Sequence, residues 1–107
     1  MKKKPVRVEP EADDELAAAV DWYEAQRLGL GSEFWAAIRR TLERVQETPE
    51  SFALVPGAPD DLPAREASVR KFPYKIVYFD LPEVVHILAF AHLRREPHYW
   101  RDRGHAP

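Results

Sequence analysis

From Val84 to Leu93 the chain is apolar at almost every position, interrupted only by His86 and His92. An apolar run without alternation predicts a central strand covered on both faces. Phe72-Pro73-Tyr74-Lys75-Ile76-Val77-Tyr78-Phe79, just before it, is aromatic and β-branched, the composition of a strand. A two-residue period puts Phe72, Tyr74, Ile76 and Tyr78 on one face and Lys75, Val77 and Phe79 on the other. Asp80-Leu81-Pro82-Glu83 is a short polar turn, so the two strands are expected to form a hairpin. Arg65 to Arg70 predicts a further strand leading into it, and Val6-Arg7-Val8-Glu9 alternates as a short half-buried one.

Between these strands the period becomes helical. Pro10 can open a helix, and Glu11, Asp13, Asp14 and Glu15 stand where its N-terminus favours negative charge. Leu16, Ala19, Val20 and Tyr23 form its apolar stripe, while Trp22 falls off the stripe and is expected to pack against the next helix, with a contact to a partner as the alternative. Leu28-Gly29-Leu30-Gly31-Ser32 ends that helix and offers Ser32 as the cap of a second, which carries Phe34, Trp35, Ile38, Leu42 and Val45. Thr48-Pro49 closes it, and residues 50 to 63 read as a loop. After the last strand come Arg94-Arg95-Glu96, then Pro97 opening a short helix over His98 to Arg103, with a frayed tail from Gly104 to Pro107. The expectation is an α+β fold in one domain, 1–107. It is a mainly antiparallel sheet of about four strands, with the N-terminal helical hairpin on one face and a short C-terminal helix.

Composition narrows the chemistry. A chain of 107 residues buries about 65% of its unfolded surface, so it folds without staples. It has no cysteine, which removes disulfides and thiol chemistry. No apolar run reaches membrane-spanning length, and Met1 to Lys4 leads into Pro5 and a charged strand rather than an apolar signal segment. A cytoplasmic protein with no membrane partner is expected. No glycine-rich phosphate loop or Ser/His/Asp arrangement is present, so no cofactor is expected. His92, His98 and His105 match no common zinc spacing, so no metal is expected.

Formal net charge is −2, against the positive excess usual in proteins that grip nucleic acid. The charge is unevenly spread. Residues 1–50 hold eight Lys/Arg against eleven Asp/Glu, and residues 51–107 hold eight against seven. The cations Arg70, Lys71, Lys75, Arg94 and Arg95 gather around the hairpin, with Trp100 beside them in sequence, and these six are the candidate binding residues. The bland alternatives are that Arg95 and Arg103 pair with Glu96, Asp102 or helix carbonyls, that His92 is a structural histidine, and that Tyr99 and Trp100 anchor the last helix.

The order Val69-Arg70, Phe72-Pro73-Tyr74-x-Ile76-x-Tyr78, Ile87-Leu88-Ala89-Phe90-Ala91-His92, Arg95-x-Pro97-x-x-Trp100-x-x-Arg103 resembles the RelE/ParE superfamily, toxins of bacterial type II toxin–antitoxin pairs. The likeness extends over nearly the whole chain and is closer to the ParE branch. It implies a cognate antitoxin as partner, in a toxin–antitoxin hetero-oligomer, with a homodimer as the rival assembly. It implies DNA gyrase as target through direct binding. In the RelE branch the target is instead mRNA on the ribosome. In that case Arg70 and Arg95 would clamp phosphate, and His92 or Tyr99 would transfer the proton. Three readings stand on sequence: gyrase-directed toxin, ribosome-dependent endonuclease, and a remnant that only binds its antitoxin.

Overall fold

The structure is a computed structural model that describes residues 3–58, 60 and 63–104. Its architecture is α+β: strand β1 (Val6–Val8), helices α1 (Pro10–Gln26) and α2 (Leu30–Glu47), then β2 (Ala64–Ser68), β3 (Tyr74–Asp80) and β4 (Val85–His92). The four strands form one sheet in the order β1-β4-β3-β2. β2 pairs with β3 and β3 with β4 in antiparallel fashion, as a chain of tight turns requires. β1 lies parallel to β4, so the sheet is mixed. The cause is the helical hairpin, which carries the chain across one sheet face before β2 begins.

Both helices cover the same face. Phe34, Ile38, Val45, Ala12 and Ala19 pack there on Ile76, Tyr78, Val85, Ile87 and Phe90. The rings of Tyr23, Phe34, Phe72 and Tyr74 meet at centroid distances such as 4.9 Å (Tyr23–Phe34) and 5.0 Å (Phe34–Tyr74). The expected alternation along β3 holds, with Ile76 and Tyr78 toward the helices and Val77 and Phe79 away from them. In β4 a bulge changes the count: Tyr78 faces Ile87 while Val77 faces Ala89, so Leu88 is an extra residue. Leu88 and Ala89 therefore both reach the second face.

Several expectations at the element ends are corrected. α2 starts at Leu30, not after Ser32, because Gly29 takes a left-handed turn (φ 90°). The Glu24 carboxylate accepts the N–H groups of Gly29 (2.9 Å) and Gly31 (3.0 Å), which a Ser32 cap would have left to solvent. Gly31 also lets the helices touch, since a Cβ there would lie 2.8 Å from the Val20 carbonyl oxygen. β3 begins at Tyr74, two residues later than expected, because Lys71 (φ 71°) turns the chain and Val69 N–H bonds Tyr74 O at 2.9 Å. The loop after α2 contains a short 3-10 turn, Pro49–Ser51, and a bridge from Leu54 to Arg65. Trp22, expected to be covered by α2, is 59% exposed and packs edge-on against Tyr23.

The short C-terminal helix does not form. Residues 97–104 make consecutive turns, with single bonds such as Arg101 N–H to His98 O (3.0 Å) and Arg103 N–H to Trp100 O (2.9 Å). His98 has φ 62°, which no right-handed helix accommodates. This strap lies over the second sheet face, where Trp100 is buried with Val55, Val77, Phe79, Leu88 and Ala91. The second apolar face of β4 is thus covered by the chain itself, without a partner. Gly104, expected in a frayed tail, donates its N–H to Glu9 Oε1 at 3.2 Å. Residues 105–107, His105 included, lie outside the described residues.

Candidate functional site

The register decides which candidates share a neighbourhood. Tyr74 pairs with His92, and Leu93 N–H bonds Pro73 O at 2.9 Å, so the start of β3 and the end of β4 meet at one end of the sheet. The β2–β3 turn and the corner after β4 both emerge there, bringing Arg70, Lys71, Arg94 and Arg95 to that end. Arg70 and Lys71 are exposed and have no hydrogen bond or ion pair among the described residues. Lys75 lies further along β3 and is half-buried, its Nζ 2.8 Å from Glu66 Oε1. Trp100, 5% exposed, is a core residue of the strap face and presents no contact surface.

His92, Arg95 and Tyr99 do come together. They line a groove of about 630 Å³ between α1 and this end of the sheet, with Ala18, Trp22, Tyr74 and Phe90 as its apolar wall. The Arg95 guanidinium stacks 3.8 Å from the centre of the Tyr99 ring. The residue that organises the groove is one the sequence treated only as a helix-terminal charge, Glu15. Its Oε2 accepts the Tyr99 hydroxyl (2.7 Å), and its Oε1 accepts Phe90 N–H (3.1 Å) and meets Arg103 Nη1 at 3.0 Å. Arg103 Nη1 also donates to Leu88 O at 3.1 Å, and Arg95 Nη1 stands 4.0 Å from Glu15 Oε2. Arg103 and Arg95 do pair, as the bland reading has it, but with an acid some 80 positions upstream rather than with Glu96 or Asp102. No spacing in the sequence points to that.

Proton-transfer chemistry is constrained by these bonds. Burial pushes the Tyr99 phenol well above its ordinary value, the hydrogen bond to Glu15 and its charge push it further, and Arg103 and Arg95 only partly offset them. Tyr99 is therefore a donor at neutral pH, not a base. The Arg103 guanidinium is held protonated by Glu15 despite its burial. Arg94 N–H donates to His92 Nδ1 at 3.0 Å, so that lone pair is occupied and the neutral imidazole carries its hydrogen on Nε2. Neither candidate offers a free basic atom to the groove.

A second polar cluster, unmarked by any motif in the sequence, lies at the opposite end of β4. His86 is 3% exposed, with Nε2 2.6 Å from Glu9 Oε2 and Nδ1 3.3 Å from Arg7 Nη2. Arg7 can only donate, so Nδ1 accepts and the Nε2 hydrogen goes to Glu9. All of its ring nitrogens are used, which makes this a structural tie between β1, β4 and the strap. Among the described residues no three His, Cys, Asp or Glu side chains are placed to hold a metal ion. No helix of the described residues is long and apolar enough to cross a membrane.

No protein-family model matches the chain, and no curated protein matches it significantly.

Proposed function

We propose that this protein is the toxin of a type II toxin–antitoxin pair, of the RelE/ParE kind, acting in the cytoplasm by binding DNA gyrase and neutralised by a cognate antitoxin. The sequence pattern from Val69 to Arg103 supports the family, and the α+β architecture with both helices on one sheet face agrees with it. The observation that carries binding over catalysis is the occupancy of the groove's proton-transfer atoms: His92 Nδ1 holds Arg94 N–H and the Tyr99 hydroxyl donates to Glu15. Cutting RNA by 2′-oxygen attack needs a free base beside a phosphate clamp. What the groove offers instead is an aromatic and aliphatic wall, an exposed Trp22 and an exposed cation at Arg95, the residue types that anchor protein interfaces.

The test is to express the protein under tight control and follow mRNA integrity and DNA breaks in one culture, with gyrase supercoiling assayed on purified protein. Intact mRNA, double-strand breaks and inhibited supercoiling are expected. Trp22→Ala should weaken inhibition about tenfold or more, as loss of a central aromatic anchor does. The second reading, a ribosome-dependent endonuclease, rests on His92, Arg95 and Tyr99 lining the same groove. Rapid mRNA cleavage, reduced by about two to three orders of magnitude in Arg95→Ala or Arg70→Ala, would establish it.

A further inference from the structure

The groove that holds His92, Arg95 and Tyr99 carries hydrogen-bond donors that the protein itself does not use. Trp22, Tyr23, Tyr74 and His92 follow one another along it, each ring meeting the next edge-on, with 5.2, 6.3 and 5.1 Å between centroids. The hydroxyls of Tyr23 and Tyr74, on half-buried side chains, have no hydrogen-bond partner among the described residues. No side-chain nitrogen or oxygen of the described residues is buried without a partner, so solvent reaches both hydroxyls, and the groove is the space that their rings line. His92 donates from Nε2, since Nδ1 accepts Arg94 N–H, and Nε2 has no partner among the described residues. The Arg95 side chain makes no hydrogen bond there either. Its Nη1 stands 4.0 Å from Glu15 Oε2, beyond hydrogen-bond reach, and the Tyr99 ring fixes the guanidinium at 3.8 Å without supplying an oxygen acceptor.

Acceptors are what the groove lacks. Glu15 is the one carboxylate among its described lining residues, and its two oxygens are taken by the Tyr99 hydroxyl, Phe90 N–H and Arg103. Arg103 also balances the charge of Glu15, which leaves the groove with the positive charge of Arg95. Hydrogen-bonding capacity and charge therefore call for the same occupant, an anion with an apolar body.

We infer that this groove binds a small aromatic carboxylate, with its rings among Trp22, Tyr23 and Tyr74 and its carboxylate on Arg95 and His92 Nε2. A volume of about 630 Å³ falls in the range of roughly 300–1,000 Å³ typical of small-molecule sites. Flat rings suit a wall of edge-on aromatic side chains, and a planar carboxylate matches the guanidinium fork with two parallel N–H bonds. A phosphate monoester, with nearly two negative charges, would leave one of them unbalanced beside Glu15. Occupancy would regulate the gyrase contact proposed for this groove, a consequence that rests on that reading, whereas binding of the acid does not.

The probe is 2-naphthoate, titrated into ¹⁵N-labelled full-length protein, with 2-naphthamide as its uncharged match and 2-naphthylmethylammonium as its opposite charge. The acid should bind at least about tenfold more tightly than either, and should shift the Trp22 indole and the amides of Tyr74 and His92. Arg95→Gln should bring the acid down to the level of the amide and leave the amide unchanged. Tyr23→Phe with Tyr74→Phe keeps both rings and should still weaken the acid about tenfold, with an unchanged amide spectrum outside the groove showing that the fold survives. Equal binding of acid and amide, indifference to Arg95→Gln, or shifts centred on Val55 and Trp100 would overturn the proposal. So would a tripeptide ending in phenylalanine that binds more tightly than the acid, since the groove would then belong to a chain end. Supercoiling assays on the same preparation keep the two readings apart. Gyrase inhibition without acid binding removes this inference alone, and acid binding without gyrase inhibition upholds it while the proposed target falls.

Discussion

The two faces of the sheet are covered by different means. On one, two regular helices bury aliphatic and aromatic side chains, and Phe34, Ile38 and Val45 are fully enclosed. On the other, a strap of turns with little hydrogen bonding of its own is held by one buried tryptophan and by polar ties. Arg103 and Tyr99 bind Glu15, Gly104 binds Glu9, and His98 Nε2 donates to Pro56 O at 2.8 Å. Apolar burial is non-directional and spread over many contacts, so the helix face loses stability gradually. The strap depends on a few directional bonds to two carboxylates of the β1–α1 region. Removing one such acceptor orphans several donors at once. The groove lies where the two kinds of covering meet, since Glu15 belongs to α1 and Tyr99 to the strap.

The largest effect separating the faces is expected from Phe34→Ala, which removes a fully buried ring and should cost about 3–5 kcal/mol in chemical denaturation, with exchange of α2 amides accelerated. Glu15→Ala comes next, at about 2–4 kcal/mol, because it leaves Arg103, the Tyr99 hydroxyl and Phe90 N–H without their acceptor. Here the loss should be local. Hydrogen exchange should speed up at Arg101 and Arg103 while the centre of α2 is unchanged, and an equal rise in both regions would erase the distinction drawn here.

Alkaline titration gives a third contrast. Burial is the first cause that raises both Tyr78 and Tyr99 above the ordinary tyrosine value of 10.0, and for Tyr99 the Glu15 hydrogen bond is the second. Below that value folded and unfolded chains both keep these protons. Above it the unfolded chain releases them first, so stability falls by about 1.4 kcal/mol per pH unit for each tyrosine. Tyr23 and Tyr74 are raised by burial too and add to the slope, so Tyr99→Phe should remove only its own share of about 1.4 kcal/mol per pH unit. An unaltered slope would mean that the strap has opened before the phenol titrates. The smallest effect is expected at the β2–β3 turn, outside both coverings. Lys71→Gly relieves a left-handed backbone (φ 71°) and should raise stability by about 1 kcal/mol, measured by thermal unfolding.

The sequence by itself determined the elements and their faces. A short run that is apolar at almost every position points to a strand covered twice, and β4 is one; alternation along β3 and the helical stripes of α1 and α2 fall as their periods require. These are local properties, fixed by backbone geometry and by which side chains avoid water. What only the tertiary structure decided is what covers the second face, how β1 pairs, and which charges meet. His98 adopts a left-handed φ that no propensity predicts, and it turns an expected helix into a strap. β1 joins β4 in parallel because the hairpin must cross the sheet before the remaining strands are made. His92, Arg95 and Tyr99 lay close together in sequence and stayed close. Glu15, which ties the latter two to α1, lies 75 positions from the nearest strand residue it binds. One carboxylate of four at a helix start carries no mark of being the one turned inward. Hydrophobic periodicity survives in one dimension, whereas the pairing of a single charge depends on distances that exist only once the chain has folded.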